Sequence, residues 1–199
     1  ADAIVLIGAG TTFIAGADIK VFDTLKTKAD SFARSAGTHA LLRRMEDAAK
    51  PLVAAIHGNA LGGGLEVAQA CHFRVATKDA KVGQPEVLLG IIPGAGGTQR
   101  LPRLAGAKMA LDMCTDGKPI AAPKARAAGI IDHIVDTDLL AGAIAFAKDK
   151  ARAKEIRKSR EVANRDVSTS QEAFAAIRTA LKKTARGRRA PFAAVDAIE

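Results

Sequence analysis

Residues 61–86 read LGGGLEVAQACHFRVATKDAKVGQPE, and this stretch decides the fold and raises a question of chemistry. A run of three glycines leads into an apolar segment that carries Glu66, and a second acid, Glu86, follows Gln-Pro at a turn. A carboxylate beside apolar residues is costly to bury unless it is paired or protonated. Either both acids face water, or the fold holds two carboxyl groups in one site.

Outward from this stretch, apolar runs and glycine-rich loops alternate along the chain. Short apolar runs predict strands at 3–8, 52–58, 72–77 and 130–136, with a short strand and turn at 80–86. Helical spacing predicts helices at 19–25, 28–48, 62–71, 96–104, 108–114, 123–128 and 139–158, then a basic helix capped by Ser170 and a last segment after Pro191. This alternation indicates an α/β fold with a largely parallel sheet.

The composition narrows the class of partner. The 199 residues suffice for one domain or a domain with an appendage, and 48% apolar residues allow a substantial core. Tyr and Trp are absent, so the chain offers little surface for stacking against bases. The net charge of +9 favours an anionic partner, which is a nucleic acid, a membrane surface or a phosphorylated small molecule.

Targeting and redox signals are few. No run approaches the ~20 apolar residues of a membrane span, and the opening ADAIVLIGAG lacks the basic region of a signal peptide. Because the chain opens on strand-like sequence, we expect an N-terminal piece to be missing. Cys71 and Cys114 lie in apolar sequence, which predicts buried free thiols and a reducing compartment.

The three glycines at 62–64 precede a predicted helix. They cost backbone entropy, but they allow a ligand to approach closely and leave N–H groups free at a helix N-terminus for a developing oxyanion. A tight strand-to-helix turn explains the same residues about equally well. The loops FIAGAD (13–18) and PGAGGTQRL (93–101) are further small-residue loops, and loops that end parallel strands meet at one crevice.

Several other chemistries lack their residues. A dinucleotide fingerprint beginning at Gly8 needs a third glycine where Phe13 stands, and neither a P-loop nor a G-x-S-x-G motif is present. The histidines show no metal-ligand spacing, so no metal is predicted and they are interpreted as structural: His39, His57, His72 and His133.

Taken together, the motifs resemble the crotonase, or enoyl-CoA hydratase/isomerase, superfamily. The resemblance is carried, in the family's order, by GTTFIAGADIK, AAIHGNALGGGLEVAQACHFRVAT, AKVGQPEVLLGIIPGAGGTQRL and AAGIIDHIV. It implies a crotonase-like spiral of parallel-stranded ββα units with C-terminal helices. The family's opening strand, turn and helix, which supply part of the CoA-binding surface, are absent from this sequence.

The end of the chain carries a second resemblance. Residues 181–199, LKKTARGRRAPFAAVDAIE, are similar to the segment that joins hydratase to 3-hydroxyacyl-CoA dehydrogenase in bifunctional fatty-acid oxidation enzymes. We therefore expect residues 1–150 to form the crotonase-like core and 151–199 a helical segment leading toward a dehydrogenase domain. Family members otherwise usually form homotrimers, sometimes paired into hexamers, and the oligomeric state stays open.

The resemblance also implies roles for the two acids. In family hydratases two glutamates flank the double bond of a 2-enoyl thioester, and Glu66 and Glu86 match them. Glu66 would orient and deprotonate water, and Glu86 would deliver a proton to C2. The N–H groups of Ala17 and Gly63 would form the oxyanion hole for the thioester oxygen.

Further residues are expected to line the substrate: Ala15, Asp18, Ile19, Gly62, Pro85, Leu89 and Gly94. By the resemblance, the N–H of Gly94 lies near the catalytic water. The acyl chain would run along Leu88, Leu89 and Ile91, and Lys20 is a candidate to steer the CoA phosphates, although a solvated lysine explains it as well.

The expected activity is hydration of 2-trans-enoyl-CoA to 3-hydroxyacyl-CoA in fatty-acid β-oxidation. Coenzyme A enters as part of the substrate, with no separate cofactor, nucleic-acid partner or membrane partner. The expected location is bacterial-type cytoplasm or an organelle of β-oxidation. The alternative is Δ3,Δ2-enoyl-CoA isomerase, which needs one acid. A third hypothesis is a noncatalytic module that binds nucleic acid through basic residues at 182–189.

Overall fold

Strands and helices alternate much as the sequence predicts. The computed structural model describes residues 1–162 and 171–199, and Ser170, predicted to cap a helix, lies outside them. The strands are β1 (Ile4–Ile7), β2 (Leu52–Ile56), β3 (Asn59–Leu61), β4 (Phe73–Thr77), β5 (Lys81–Gly83), β6 (Ile120–Ala121) and β7 (His133–Val135). The helices are α1 (Lys28–Glu46), α2 (Gly63–Ala70), α3 (Gly97–Ala105), α4 (Ala107–Asp116), α5 (Ala122–Ala127), α6 (Leu139–Arg152), α7 (Gln171–Thr184) and α8 (Ala190–Ile198). Short 3-10 helices occupy Ile19–Thr24, Pro85–Leu89 and Ser159–Glu161.

Two sheets organise the chain. The larger is parallel throughout, in the order β1-β2-β4-β7. The smaller has the order β3-β5-β6, with β3 parallel and β6 antiparallel to β5. The predicted α/β class with largely parallel pairing is confirmed.

The strand β2 forms the centre of the core, and all five of its residues are buried. Because alternate side chains of a strand point to opposite faces, Ala54 and Ile56 join one apolar cluster, which includes residues of α2, α3 and α4. Val53 and Ala55 join a second cluster with residues of α6. A parallel strand covered on both faces is a continuous apolar run, which is why the sequence LVAAI identified it.

Three predicted details differ from the structure. The helix predicted at 139–158 ends at Arg152, and Lys154 then adopts a φ of 53°, which a right-handed helix does not allow. The strands β3 and β6 were not predicted, because three and two residues are too few to show a period of two.

The C-terminal helices pack onto the rest of the described chain. Ala194 of α8 is fully buried in the main apolar cluster, and Phe174 of α7 packs with Leu111 of α4 and Val195 of α8. The predicted division between 1–150 and 151–199 falls inside α6 and stays a prediction. Among the described residues, no helix combines the length and apolar character that crossing a bilayer requires.

The start of α2 backs directly onto the loop that follows β1. A Cβ atom added at Gly64 would lie 2.0 Å from the carbonyl oxygen of Ile14, so the two segments approach as closely as glycine allows. We therefore expect Gly64→Ala to lower the free energy of unfolding by roughly 3 kcal/mol or more, because backbone must move to relieve the overlap. Urea denaturation followed by circular dichroism measures the change.

Gly37 provides the matched control for this prediction. It lies within α1, and an added Cβ would have no atom within 4 Å. Gly37→Ala should raise the free energy of unfolding by about 0.5–1 kcal/mol, since alanine loses less backbone entropy in a helix. Equal effects of the two substitutions would show that α2 does not depend on this close approach.

Candidate active site

The loop after β1 pairs with β3 and brings two backbone amides together. Ile14 N–H donates to the carbonyl of Asn59 at 3.2 Å, and Leu61 N–H donates back to Ile14 at 3.1 Å. In consequence, a Cβ added at Gly63 would lie 3.7 Å from the nitrogen of Ala17. Within residues 1–162 and 171–199, neither the Ala17 nor the Gly63 N–H has a hydrogen-bond acceptor. Two unused donors therefore lie close together at the start of α2.

Glu66 lies near the start of α2 and is only 3% exposed. Its Oε1 accepts hydrogen bonds from the N–H of Ala95 at 2.7 Å and of Gly97 at 2.8 Å, at the start of α3. Burial raises the pKa of Glu66 above its usual value, while these two donors and the charge of Arg100 act in the opposite direction. The carboxyl is thus buried, but hydrogen bonds that favour its ionised form are already in place.

Glu86 follows β5 at the start of the Pro85–Leu89 turn, and its carboxyl faces Gly62. Gly62 has a φ of 52°, and a Cβ there would lie 3.1 Å from Oε1 of Glu86. Burial raises the pKa of Glu86 to about 7, and the charge of Glu66 adds to this rise. The two acids therefore interact electrostatically, and Glu86 is partly protonated near neutral pH.

Gln84 is a residue of this site that the sequence analysis missed. Its side chain is fully buried, and with its amide nitrogen facing Glu86 it donates to Oε1 at 3.0 Å and to Oε2 at 3.2 Å. The same side chain touches α3, because a Cβ at Gly97 would lie 2.4 Å from it. Gln84 thus contacts both Gly97, which donates a hydrogen bond to Glu66, and the carboxyl of Glu86. Its only sequence signal is its place before Pro-Glu, which does not reveal burial.

Three of the predicted lining residues lie beside Ala17 in the chain. Ala15, Asp18 and Ile19 flank Ala17 on the exposed loop. The carboxylate of Asp18 accepts a hydrogen bond from Lys20 N–H at 3.0 Å and caps the 3-10 helix, as the sequence predicts. A direct contact of these residues with substrate stays a prediction.

The other predicted lining residues lie around Glu66 and Glu86. Pro85 begins the 3-10 turn, and Leu88 and Leu89 follow it with 61% and 63% exposure, an apolar surface beside the acids. Gly94 is exposed, and its carbonyl accepts a hydrogen bond from Ser35 Oγ of α1 at 2.6 Å. Its roles toward water and substrate also stay predictions.

The cysteines and one histidine behave as predicted. Cys71 and Cys114 are free and buried. Burial raises the pKa of Cys114, and the charges of Glu86 and Glu66 add to the rise, which puts this thiol within electrostatic range of both acids. The ring of His72 is fully buried and accepts the N–H of Leu52 at 2.9 Å, a structural role.

Comparison with known proteins identifies the family. A model of the family Enoyl-CoA hydratase/isomerase matches residues 1–191, and the chain belongs to this family. It is 51% identical to a probable enoyl-CoA hydratase of Bacillus subtilis over 128 residues, which are 64% of this chain and 50% of that protein. It is 41% identical to the peroxisomal bifunctional enzyme of Cavia porcellus over 199 residues, covering 98% of this chain and 27% of that protein.

A solved structure supports the same assignment. The enoyl-CoA hydratase of Bacillus anthracis superposes with a TM-score of 0.69 at 38% identity, covering 75% of this chain and 58% of that one. The predicted crotonase-like fold and family resemblance are therefore confirmed. The chain spans half or less of the length of the two curated relatives.

The raised pKa of Glu86 predicts a pH-dependent cost to stability. Above the ordinary carboxyl pKa of about 4.3 the unfolded chain ionises this group, whereas the folded chain resists ionisation until about pH 7. The folded protein therefore loses stability as pH rises across this window. Glu86→Gln, uncharged at every pH, should be more stable than the native chain by roughly 3 kcal/mol at pH 8 and show no such gain at pH 4.

Denaturation at a series of pH values measures this difference. Glu155→Gln serves as a control, because the Glu155 side chain is 47% exposed and its ion-pair partner is Lys150. Its effect on stability should not follow the same window. A Glu86→Gln effect that is flat from pH 4 to pH 8 contradicts the assigned environment of Glu86.

Proposed function

We propose that the chain hydrates 2-trans-enoyl-CoA to 3-hydroxyacyl-CoA as a step of fatty-acid β-oxidation. One observation carries the proposal: the buried Glu66 of α2 interacts with the half-buried Glu86, which faces Gly62 before α2, beside two backbone N–H groups that have no acceptor in the described chain. Membership of the enoyl-CoA hydratase/isomerase family supports the same chemistry.

The free amides supply electrophilic assistance. When a thioester carbonyl oxygen accepts hydrogen bonds from Ala17 and Gly63, the double bond is polarised and C3 becomes electrophilic. Charge on that oxygen grows as water attacks, so the two donors stabilise the transition state more than the bound substrate. Each donor in such a hole is worth roughly 3–4 kcal/mol in comparable enzymes.

Glu66 acts as the general base in this proposal. One of its oxygens is occupied by the N–H groups of Ala95 and Gly97, which leaves Oε2 to accept a proton from water. As the water oxygen bonds to C3, that proton passes to Glu66 and the π electrons move to the thioester oxygen as an enolate. The Gly94 N–H, next to Ala95 in the chain, is proposed to orient the water.

Glu86 acts as the general acid. A carboxyl with a pKa of about 7 is protonated often enough at neutral pH to give its proton to C2 of the enolate. The sum of the steps is the addition of one water across the double bond. The proton gained by Glu66 must then return to Glu86 before the next cycle.

The acyl-CoA substrate accounts for other features. We place the acyl chain along Leu88, Leu89 and Ile91, and assign Ala15, Asp18, Ile19, Gly62 and Pro85 to the rest of the binding surface. Lys20 on the exposed loop is proposed to attract the CoA phosphates. Because 2-enoyl-CoA supplies its own activating thioester, the reaction as proposed uses no separate cofactor.

The curated relatives are longer than this chain. A fatty acid oxidation complex subunit alpha of Shewanella baltica is 46% identical over 160 residues, which are 78% of this chain and 23% of that protein. Together with the bifunctional relative this supports a hydratase segment, with residues 151–199 leading toward a dehydrogenase domain. A bacterial cytoplasm is the proposed location, and an organelle of β-oxidation the alternative.

Replacing either acid should abolish most of the hydration. Glu66→Gln and Glu86→Gln should each lower kcat by about 10²–10⁴-fold, because each removes the group that accepts or donates a proton. Loss of crotonyl-CoA absorbance measures the rate. Glu155→Gln should retain native activity, whereas near-native hydration by either active-site variant refutes the assigned roles.

A second activity is favoured by the pKa of Glu86. Near pH 7 this one carboxyl both accepts and returns protons, which is the requirement for moving a proton from C2 to C4 in a Δ3,Δ2-enoyl-CoA isomerisation. With 3-enoyl-CoA as substrate, Glu66→Gln should keep isomerase activity within about tenfold of native, and Glu86→Gln should lose it by the general acid–base factor of about 10²–10⁴. Formation of 2-enoyl product measures the rate, and equal losses in both variants contradict a single-acid isomerase.

A further inference from the structure

The loop that holds Glu66 is itself held by a buried arginine. Arg100 lies on α3, is 7% exposed, and donates from Nη1 to the carbonyl of Ala95 at 2.9 Å. The N–H of the same Ala95 donates to Oε1 of Glu66 at 2.7 Å. A single residue, Ala95, is thus fixed by Arg100 on one side and fixes Glu66 on the other.

The opposite nitrogen of Arg100 is anchored to α1. Nη2 donates to Oε2 of Glu46 at 2.9 Å, and Glu46 is 1% exposed. Glu46 also accepts Arg160 N–H at 3.2 Å and Arg160 Nη1 at 3.3 Å. The backbone carbonyl of Glu46 is hydrogen-bonded to Nε2 of His72. Nδ1 of the same ring accepts the N–H of Leu52 in β2. Arg100 is therefore held rigidly from several elements of the core.

The loop backbone makes room for this contact. Gly96 adopts a φ of 101°, and a Cβ there would lie 2.2 Å from Nη1 of Arg100. The guanidinium can reach Ala95 only because position 96 has no side chain. Arginine alone offers two donors in a fixed fork, one for Ala95 and one for Glu46.

We propose that Arg100 is a positioning residue for Glu66, holding the Ala95 amide and through it the carboxylate in the place where water is deprotonated. This inference rests on the proposed function and deepens it. A buried ion pair is no strong source of stability by itself, since apolar replacements are often as stable. The geometry of Ala95 gives the Arg100–Glu46 pair its role in the site.

The charges around Glu66 give the inference a distinctive signature. The groups that face it are Arg100 from α3, Glu86 from the Pro85–Leu89 turn and the Cys114 thiol from α4. Arg100 acts to lower the pKa of Glu66. Removing this cation raises that pKa further, whereas removing the anion of Glu46 leaves Arg100 uncompensated and lowers it. The two substitutions therefore shift the pKa of Glu66 in opposite directions.

The test is the pH dependence of crotonyl-CoA hydration by Arg100→Gln in the full 199-residue chain. We expect kcat to fall by about 10–100-fold, part of a general-base contribution, with KM changed by less than about threefold because Arg100 does not touch substrate. The acidic limb of the kcat profile, where Glu66 becomes protonated, should move to higher pH. Glu46→Gln should move the same limb to lower pH.

Arg100→Lys separates charge from geometry. Lysine keeps the cation but cannot span Ala95 and Glu46 with a planar fork, so kcat should remain low while the acidic limb returns toward its native position. Arg103→Gln is the matched control, because Arg103 lies on the same helix and donates instead to the carbonyl of Val162. Arg103→Gln should leave kcat and the pH of the acidic limb unchanged.

A double variant guards against simple unfolding. Arg100→Met with Glu46→Gln leaves neither charge of the pair, and its Tm should stay close to the native value while kcat remains low. Native kcat in this folded variant, or an unmoved limb in folded Arg100→Gln, overturns the inference and leaves the proposed function standing. Absence of hydration by the native chain overturns both.

Discussion

Ala95, in the loop before α3, and Gly97, the first residue of α3, each donate a backbone N–H to one oxygen of Glu66, and the rest of the site depends on this interaction. A carboxyl that is 3% exposed has lost nearly all of its water, and only donors that replace water make its ionised form tolerable. Ala95 and Gly97 supply those donors only while the loop before α3 keeps one shape. The ionised form of Glu66 therefore depends on the conformation of the loop before α3, and that conformation depends on the packing of α2 against α3.

Much of the fold could be predicted because its signals are local. The apolar run of β2 is set by burial on both faces, and α1 begins where predicted because Thr27 and Asp30 form a capping box at its first turn. By contrast, β3 and β6 exist through pairing with β5, and their own two or three residues carry no recognisable period.

The candidate site could be predicted only in part, because some of its residues are defined by contacts that are distant in the chain. Glycine runs and lone acids stand out in a sequence, so Glu66 and Glu86 could be named as candidates, whereas Gln84 and Arg100 resemble ordinary polar residues. Their burial results from contacts with residues distant in the chain, such as Glu46 with Arg100.

Burial alone would make Glu66 and Glu86 alike, since it raises the pKa of both. Two acids with equally raised pKa values would both stay protonated, and neither could act as the base. The fold distinguishes them by the charges nearby: two backbone N–H groups and the cation of Arg100 favour the ionised form of Glu66, whereas the charge of Glu66 opposes ionisation of Glu86. The proposed division into base and acid is thus a property of α3 and the Pro85–Leu89 turn. A change that displaces α3 alters the hydrogen bonds of Glu66 directly. It affects the pKa of Glu86 only through the charge of Glu66 and through Gln84, which contacts both α3 and Glu86.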